Sequence, residues 1–295
     1  MKIGRIETFI LGTGSAKDLL FCRVETEDGL YGWGEAYVTH GKEKVVAECL
    51  QAMAPHVVGR SAFNIRHTGQ VMFEDFAIDY VRAMRQALGP DFELLIEAHR
   101  RFAPAHAIRI GHRLAEFGID WYEEPCLSEN IDLVAEVRRA VPIPIVTGEA
   151  IYSKEAFFEC LAKRAADILN PDICAVGGIT AMLDIAAMAQ PQAVVMSPHN
   201  YNSTLVGLAA TVHLSAVIPN FRITEYFVNF QDLCREIATA SLTMRDGWID
   251  LPTAPGLGID IDVEKLRAHP HQEATHRGFR QYWEEYPRKA YTPRL

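Results

Sequence analysis

The sequence predicts an α/β protein built on parallel strands, with a small antiparallel region ahead of them. Three observations carry this. Short apolar runs recur about every 25 residues between Phe92 and Thr224. Amphipathic segments of helical period lie between these runs. The first 26 residues instead alternate in strand fashion around turn residues. Regular strand–helix alternation implies parallel strands with crossover helices, in a barrel or a doubly wound sheet.

Along the chain, Lys2–Leu11 and Leu19–Thr26 read as antiparallel strands, with Gly12–Ser15 as a flexible loop and Asp28-Gly29 as a hairpin turn. Helical patterns follow at Lys42–Met53, Asn64–Asp75 and Tyr80–Leu88. The ladder strands are Phe92–Ile96, Asp120–Tyr122, Ile143–Thr147, Ile168–Asn170, Ala193–Met196 and Arg222–Thr224. The helices between them are Pro104–Phe117, Ile131–Ala140, Lys154–Lys163, Ile179–Ala189 and Thr204–Val217. Leu242–Leu251 reads as a strand containing the turn Asp246-Gly247. Pro255–Gly258 is a loop, Asp262–Arg267 a short helix, and the last stretch a surface tail.

Composition narrows the class. The 295 residues are 49% hydrophobic and 23% charged, within the range of globular proteins. A net charge of −9 argues against nucleic acid or an anionic membrane as partner. The N-terminus has no signal-peptide pattern, and Leu205–Pro219 is too short and polar to span a bilayer. Six scattered cysteines without a C-x-x-C pair read as reduced thiols, so a cytoplasmic protein is expected.

The sharpest signal is the residue that ends each ladder strand: Glu97, Glu123, Glu149, Asp172, His199 and Glu225, at intervals of 26, 26, 23, 27 and 26. In α/β barrels the carboxyl ends of the strands build the active site. Three glutamates converging there repel one another unless a cation neutralises them, and hard oxygen ligands suit Mg²⁺.

The contexts are Leu94-Leu95-Ile96-Glu97-Ala98-His99, Trp121-Tyr122-Glu123-Glu124-Pro125, Thr147-Gly148-Glu149-Ala150, Asn170-Pro171-Asp172, Ser197-Pro198-His199-Asn200 and Thr224-Glu225-Tyr226. Gly32-Trp33-Gly34-Glu35-Ala36 and Pro255-Gly256-Leu257-Gly258 flank them. This ordered set resembles the mandelate racemase-like branch of the enolase superfamily, and within it the sugar-acid dehydratases of gluconate, galactonate and mannonate type. The resemblance implies a (β/α) barrel with an α+β capping domain. The expected division is capping domain 1–76, barrel 77–235, and a segment 236–295 returning to the capping domain.

The resemblance also implies roles. Glu97, Glu123 and Glu149 would bind Mg²⁺, Glu97 standing where the family more often has Asp. Glu124 would lie behind them or at the surface. His199, oriented by Asp172, would abstract the α-proton of a carboxylate substrate. His99 would protonate the departing hydroxyl, a role a racemase does not need. Glu225 would bind near the substrate carboxylate, and Arg101 would hold an anionic or polyhydroxy substrate. Arg100 stands where the family usually has Gly. The Gly12–Ala16 loop would close over substrate, a small sugar acid. The family's oligomeric habit implies a homo-oligomer. The remaining histidines read as structural or surface groups. The alternatives are a racemase or epimerase of the same superfamily, and a non-catalytic metal-binding homologue.

The ladder has six βα units where a closed barrel has eight. Only 150 residues run from Ala77 to Tyr226, and the first two barrel strands would fall between Phe76 and Pro90. The second of those strands carries a Lys-x-Lys group in the family. Lys42-Glu43-Lys44 has that spacing but reads as a solvated cluster in a helix. Either the sequence joins two segments across missing residues, the expected explanation, or the protein is truly shortened. A continuous chain through 74–82 excludes the first.

Overall fold

A computed structural model of the protein describes residues 1–13, 18–36, 38, 42–240 and 242–270, without the side chains of 66–73. Residues Gly14–Ala16 of the proposed closing loop, the terminal tail, and His40, His271 and His276 lie outside these, as does the side chain of His67. The chain divides into two compact units between Tyr80 and Val81.

In the first unit, β1 (Ile3–Leu11), β2 (Leu19–Thr26) and β3 (Tyr31–Ala36) form an antiparallel sheet in sequence order. The β2–β3 turn closes as expected, with Gly29 at φ +88° and Thr26 N–H donating to Leu30 C=O at 2.8 Å. Leu20, Val38 and Ala47 form a small core against helix α1 (Glu43–Val57). Glu43 is buried, so the Lys42–Lys44 cluster is not uniformly solvated.

Helix α2 runs without interruption from Ile65 to Leu88. The two separate helices expected across this stretch, Asn64–Asp75 and Tyr80–Leu88, are therefore corrected to one. No glycine or proline occurs from Gln70 to Leu88, so nothing in the sequence stops the helix there.

The second unit holds five parallel strands: β4 (Leu95–Glu97), β5 (Trp121–Glu123), β6 (Ile145–Thr147), β7 (Ile168–Leu169) and β8 (Val195–Met196). They pair in strict sequence order. That order is barrel-like, since a doubly wound sheet would reverse direction. Between them run α3 (Pro104–Ala115), α4 (Ile131–Ala140), α5 (Lys154–Ala162) and α6 (Gly178–Ala189), and α7 (Leu205–Ser215) follows β8. Tyr122, Ile145, Val146, Leu169 and Met196 from the strands, and Val134, Val137, Phe157, Met182 and Ile185 from the helices, are fully buried and form the core.

The sixth expected strand, Arg222–Thr224, is not one. A single bridge joins Met196 to Phe221. Met196 N–H donates to Asn220 C=O and Arg222 N–H to Met196 C=O, but the next donor on this side is Pro198, which has no N–H. The ladder stops there. Arg222 nevertheless reaches Glu93, just ahead of β4, at 3.2 Å, so the two ends of the curled sheet approach through side chains. Among the described residues no strand closes the barrel, and β4 is an edge strand with Leu95 exposed.

Beyond the sheet come α8 (Gln231–Ile237), which the sequence reading lacks, the hairpin β9 (Met244–Arg245) and β10 (Trp248–Ile249) around Asp246-Gly247, and α9 (Val263–Arg267). Residues 236–270 cluster with the second unit. Among the described residues, no helix is long and apolar enough to cross a membrane.

Candidate active site

Glu97 and Glu123 are the last residues of β4 and β5 and are register partners across the parallel ladder. Residues in register point the same way, so both carboxylates face one side. Glu149 follows β6 after Gly148, at φ +154°, where an added Cβ would lie 2.8 Å from the Asn170 carbonyl carbon. Only glycine fits that approach. Asp172 and His199 lie past β7 and β8 and form a parallel bridge of their own.

One oxygen from each of Glu97, Glu123 and Glu149 lies within 4.8 Å of the other two. Burial, followed by the charge of its neighbours, pushes Glu123 up to about 9, and burial likewise raises Glu97. Glu149 is pulled down to about 2, first by its contact with His199 and then by Arg100. Asn170 Nδ2 donates to Glu123 Oε1 at 2.5 Å, while its buried Oδ1 has no hydrogen-bond partner. An all-oxygen donor set of negative charge fits a hard divalent cation that keeps some of its water, and the orphaned amide oxygen can accept from such a water.

The base side differs. His199 Nδ1 lies 2.8 Å from Asp172 Oδ2, and its Nε2 lies 3.2 Å from Glu149 Oε2 and 3.7 Å from Glu225 Oε2. Asp172 Oδ1 is held in turn by Cys174 N–H at 2.8 Å. Burial alone would lower the His199 pKa. The hydrogen bonds to Asp172 and Glu149 and the Glu225 charge outweigh it and raise it to about 10. Asn200 N–H fixes Glu225 Oε2 at 2.9 Å.

His99 stands at the rim, 55% exposed, with Nδ1 3.7 Å from Glu97 and 3.6 Å from Glu149. Glu124 is not at the surface but fully buried. It accepts from Arg100 Nη1 at 2.9 Å, Ser128 Oγ at 2.8 Å, Gly148 N–H at 3.3 Å and Thr147 Oγ1.

Glu97, His99, Glu123, Glu149, Asn170, His199 and Glu225 line one cavity of about 570 Å³, with Trp121, Tyr152 and Tyr201 as aromatic walls; Asp172 and Glu124 lie behind it. Arg101 is exposed and does not line it; Arg100 does. Strand alternation would put 97, 99 and 101 on one side. His99 and Arg100, however, adopt φ of +49° and +62°, which breaks the alternation and turns Arg100 inward. The sequence alone gives no role to Asn170 and marks Arg100 only as standing where the family usually has Gly. The Asn-Pro-Asp motif is the signal that could have found the first.

Residues 44–266 match the enolase C-terminal domain-like family model. A D-galactarolactone cycloisomerase of Agrobacterium fabrum is 33% identical over 63% of this chain and 51% of its own length. An arabinonate dehydratase of Saccharolobus solfataricus is 30% identical over 77% of this chain and 61% of its own. The chain thus spans half to three-fifths of these two relatives. The crystal structure of the 3,6-anhydro-D-galactonate cycloisomerase from Zobellia galactanivorans superposes with a TM-score of 0.60 at 24% identity, covering 91% of this chain and 99% of that one. With its ladder of strand-end acids and a family match over most of its length, the chain belongs to the enolase C-terminal domain-like family.

Proposed function

We propose that this protein is a hydro-lyase that dehydrates an aldonate to a 2-keto-3-deoxy acid, with Mg²⁺ held by Glu97, Glu123 and Glu149. The observation that carries the reading is that these three carboxylates, His199 with Asp172 behind it, and His99 converge on one cavity. The dehydratase among the relatives supports the substrate class. Bound Mg²⁺ would withdraw electron density from the substrate carboxylate and acidify its α-proton. The chain's own residues do the rest. His199 Nε2 takes the α-proton, and Asp172 holds the Nδ1 proton and fixes the ring. A protonated His199 is no base, and its contact with Glu149 favours the protonated form. Neutralising Glu149 removes that support and brings His199 toward the working range of a base. His99 gives its proton to the departing β-hydroxyl from the open rim of the cavity, and Glu225 orients the carboxylate end.

The test is a panel of aldonates incubated with and without Mg²⁺, read by 2-keto-3-deoxy acid formation. Product that depends on Mg²⁺ is expected. No product from any aldonate, with Mg²⁺ binding intact, contradicts the reading. A racemase or epimerase would use the same base and metal set without requiring His99, and would show α-proton exchange or epimer instead of product.

A further inference from the structure

We propose that Arg100 is a built-in counter-ion of Glu149 that competes with the divalent cation and weakens its binding to the acid set. The inference rests on the reading of Glu97, Glu123 and Glu149 as metal ligands. One guanidinium nitrogen, Nη1, lies 2.6 Å from Glu149 Oε1 and 2.9 Å from Glu124 Oε2. Both oxygens of Glu149 are thereby engaged within the chain, since His199 Nε2 lies 3.2 Å from Oε2. A cation reaching Glu149 must share an oxygen with one of these groups or displace it. The other two acids carry no such positive partner at that distance among the described residues.

The position of Arg100 is not incidental to the backbone. At φ +62°, directly after His99 at +49°, the chain adopts a conformation that favours glycine. An arginine is kept there by its two carboxylates and by Arg100 N–H donating to Glu124 C=O at 2.7 Å. Glu124 is fully buried and needs a positive partner. The arginine that supplies it also carries its charge onto Glu149. A guanidinium in contact with a ligand oxygen repels a divalent cation at short range.

The test separates the two jobs of Arg100. In a Glu124→Gln background no buried charge is stranded when Arg100 is removed. Mg²⁺ affinity is measured by titration calorimetry for Glu124→Gln alone and combined with Arg100→Gly or, should that variant misfold, with Arg100→Gln. Either combination should bind Mg²⁺ about tenfold more tightly than Glu124→Gln alone, given the short-range charge removed. Arg100→Lys in the same background should restore the weaker binding. Unchanged or weaker affinity in the combined variants overturns the inference and leaves the metal reading standing. Absence of Mg²⁺ binding in the wild type and every variant overturns both.

Discussion

The two halves of the cavity rim are built on opposite principles. On the acid half, over β4 to β6, like charges crowd together and Glu123 keeps a proton far above the usual carboxylate range. On the base half, past β7 and β8, every charge has a partner: Asp172 for His199, Cys174 N–H for Asp172, Asn200 N–H for Glu225. The base half is organised by the chain alone. The acid half holds the crowded charge that the proposed cation would neutralise. Glu149 joins them, contacting His199 on one oxygen and Arg100 on the other.

The largest effect should come from the base half. His199→Asn should lower turnover by on the order of 10³-fold, since a positioned general base contributes that much, with the circular dichroism spectrum unchanged. If activity survives, the base is elsewhere. On the acid half, saturating Mg²⁺ should raise Tm by about 5 °C through linkage. Glu123→Gln should abolish that rise while raising the Tm of the metal-free protein, because folding then no longer has to protonate a buried carboxylate. A retained Mg²⁺ response in Glu123→Gln would contradict the assignment.

The halves also make a pH prediction. Glu123, raised from 4.5 to about 9, binds more protons folded than unfolded between those values, so its contribution to stability falls as pH rises through that range. His199, raised from 6.5 to about 10, acts in the same direction, its contribution being full below 6.5 and lost toward 10. Urea titrations of the metal-free protein from pH 6.5 to 9 should show declining stability, and Mg²⁺ should flatten the decline. A rising profile would refute this charge assignment. The smallest effect belongs to Arg222→Ala, which breaks the half-exposed pair with Glu93 that links the sheet's ends. A loss of up to about 1 kcal/mol by urea denaturation, with Mg²⁺ binding unchanged, is expected.

Much of this was legible in the sequence where periodicity decides structure. The helix Ile131–Ala140 has the bounds its pattern predicts, and the strand-end spacing brings Glu97, Glu123, Glu149 and His199 to one cavity. The reading fails where one residue's backbone chemistry overrides a pattern. Pro198 cannot donate, and so ends the ladder before Arg222–Thr224 can pair. His99 and Arg100 in left-handed conformations exchange the places that alternation assigns to Arg100 and Arg101. Glu124 looks like a spare acid beside Glu123, but just past the end of β5, at φ +41°, it enters a buried nest of donors. The continuity of α2 was written in its lack of breakers, and was obscured by the expectation of a full eight-unit barrel.

In the proposed reaction His199 removes the α-proton and His99 assists departure of the hydroxyl. Deuterium exchange at the α-carbon of an aldonate, catalysed by His99→Asn in D₂O with Mg²⁺, tests it most directly. Continued exchange with no dehydrated product is expected. Loss of exchange with Mg²⁺ binding intact would contradict it.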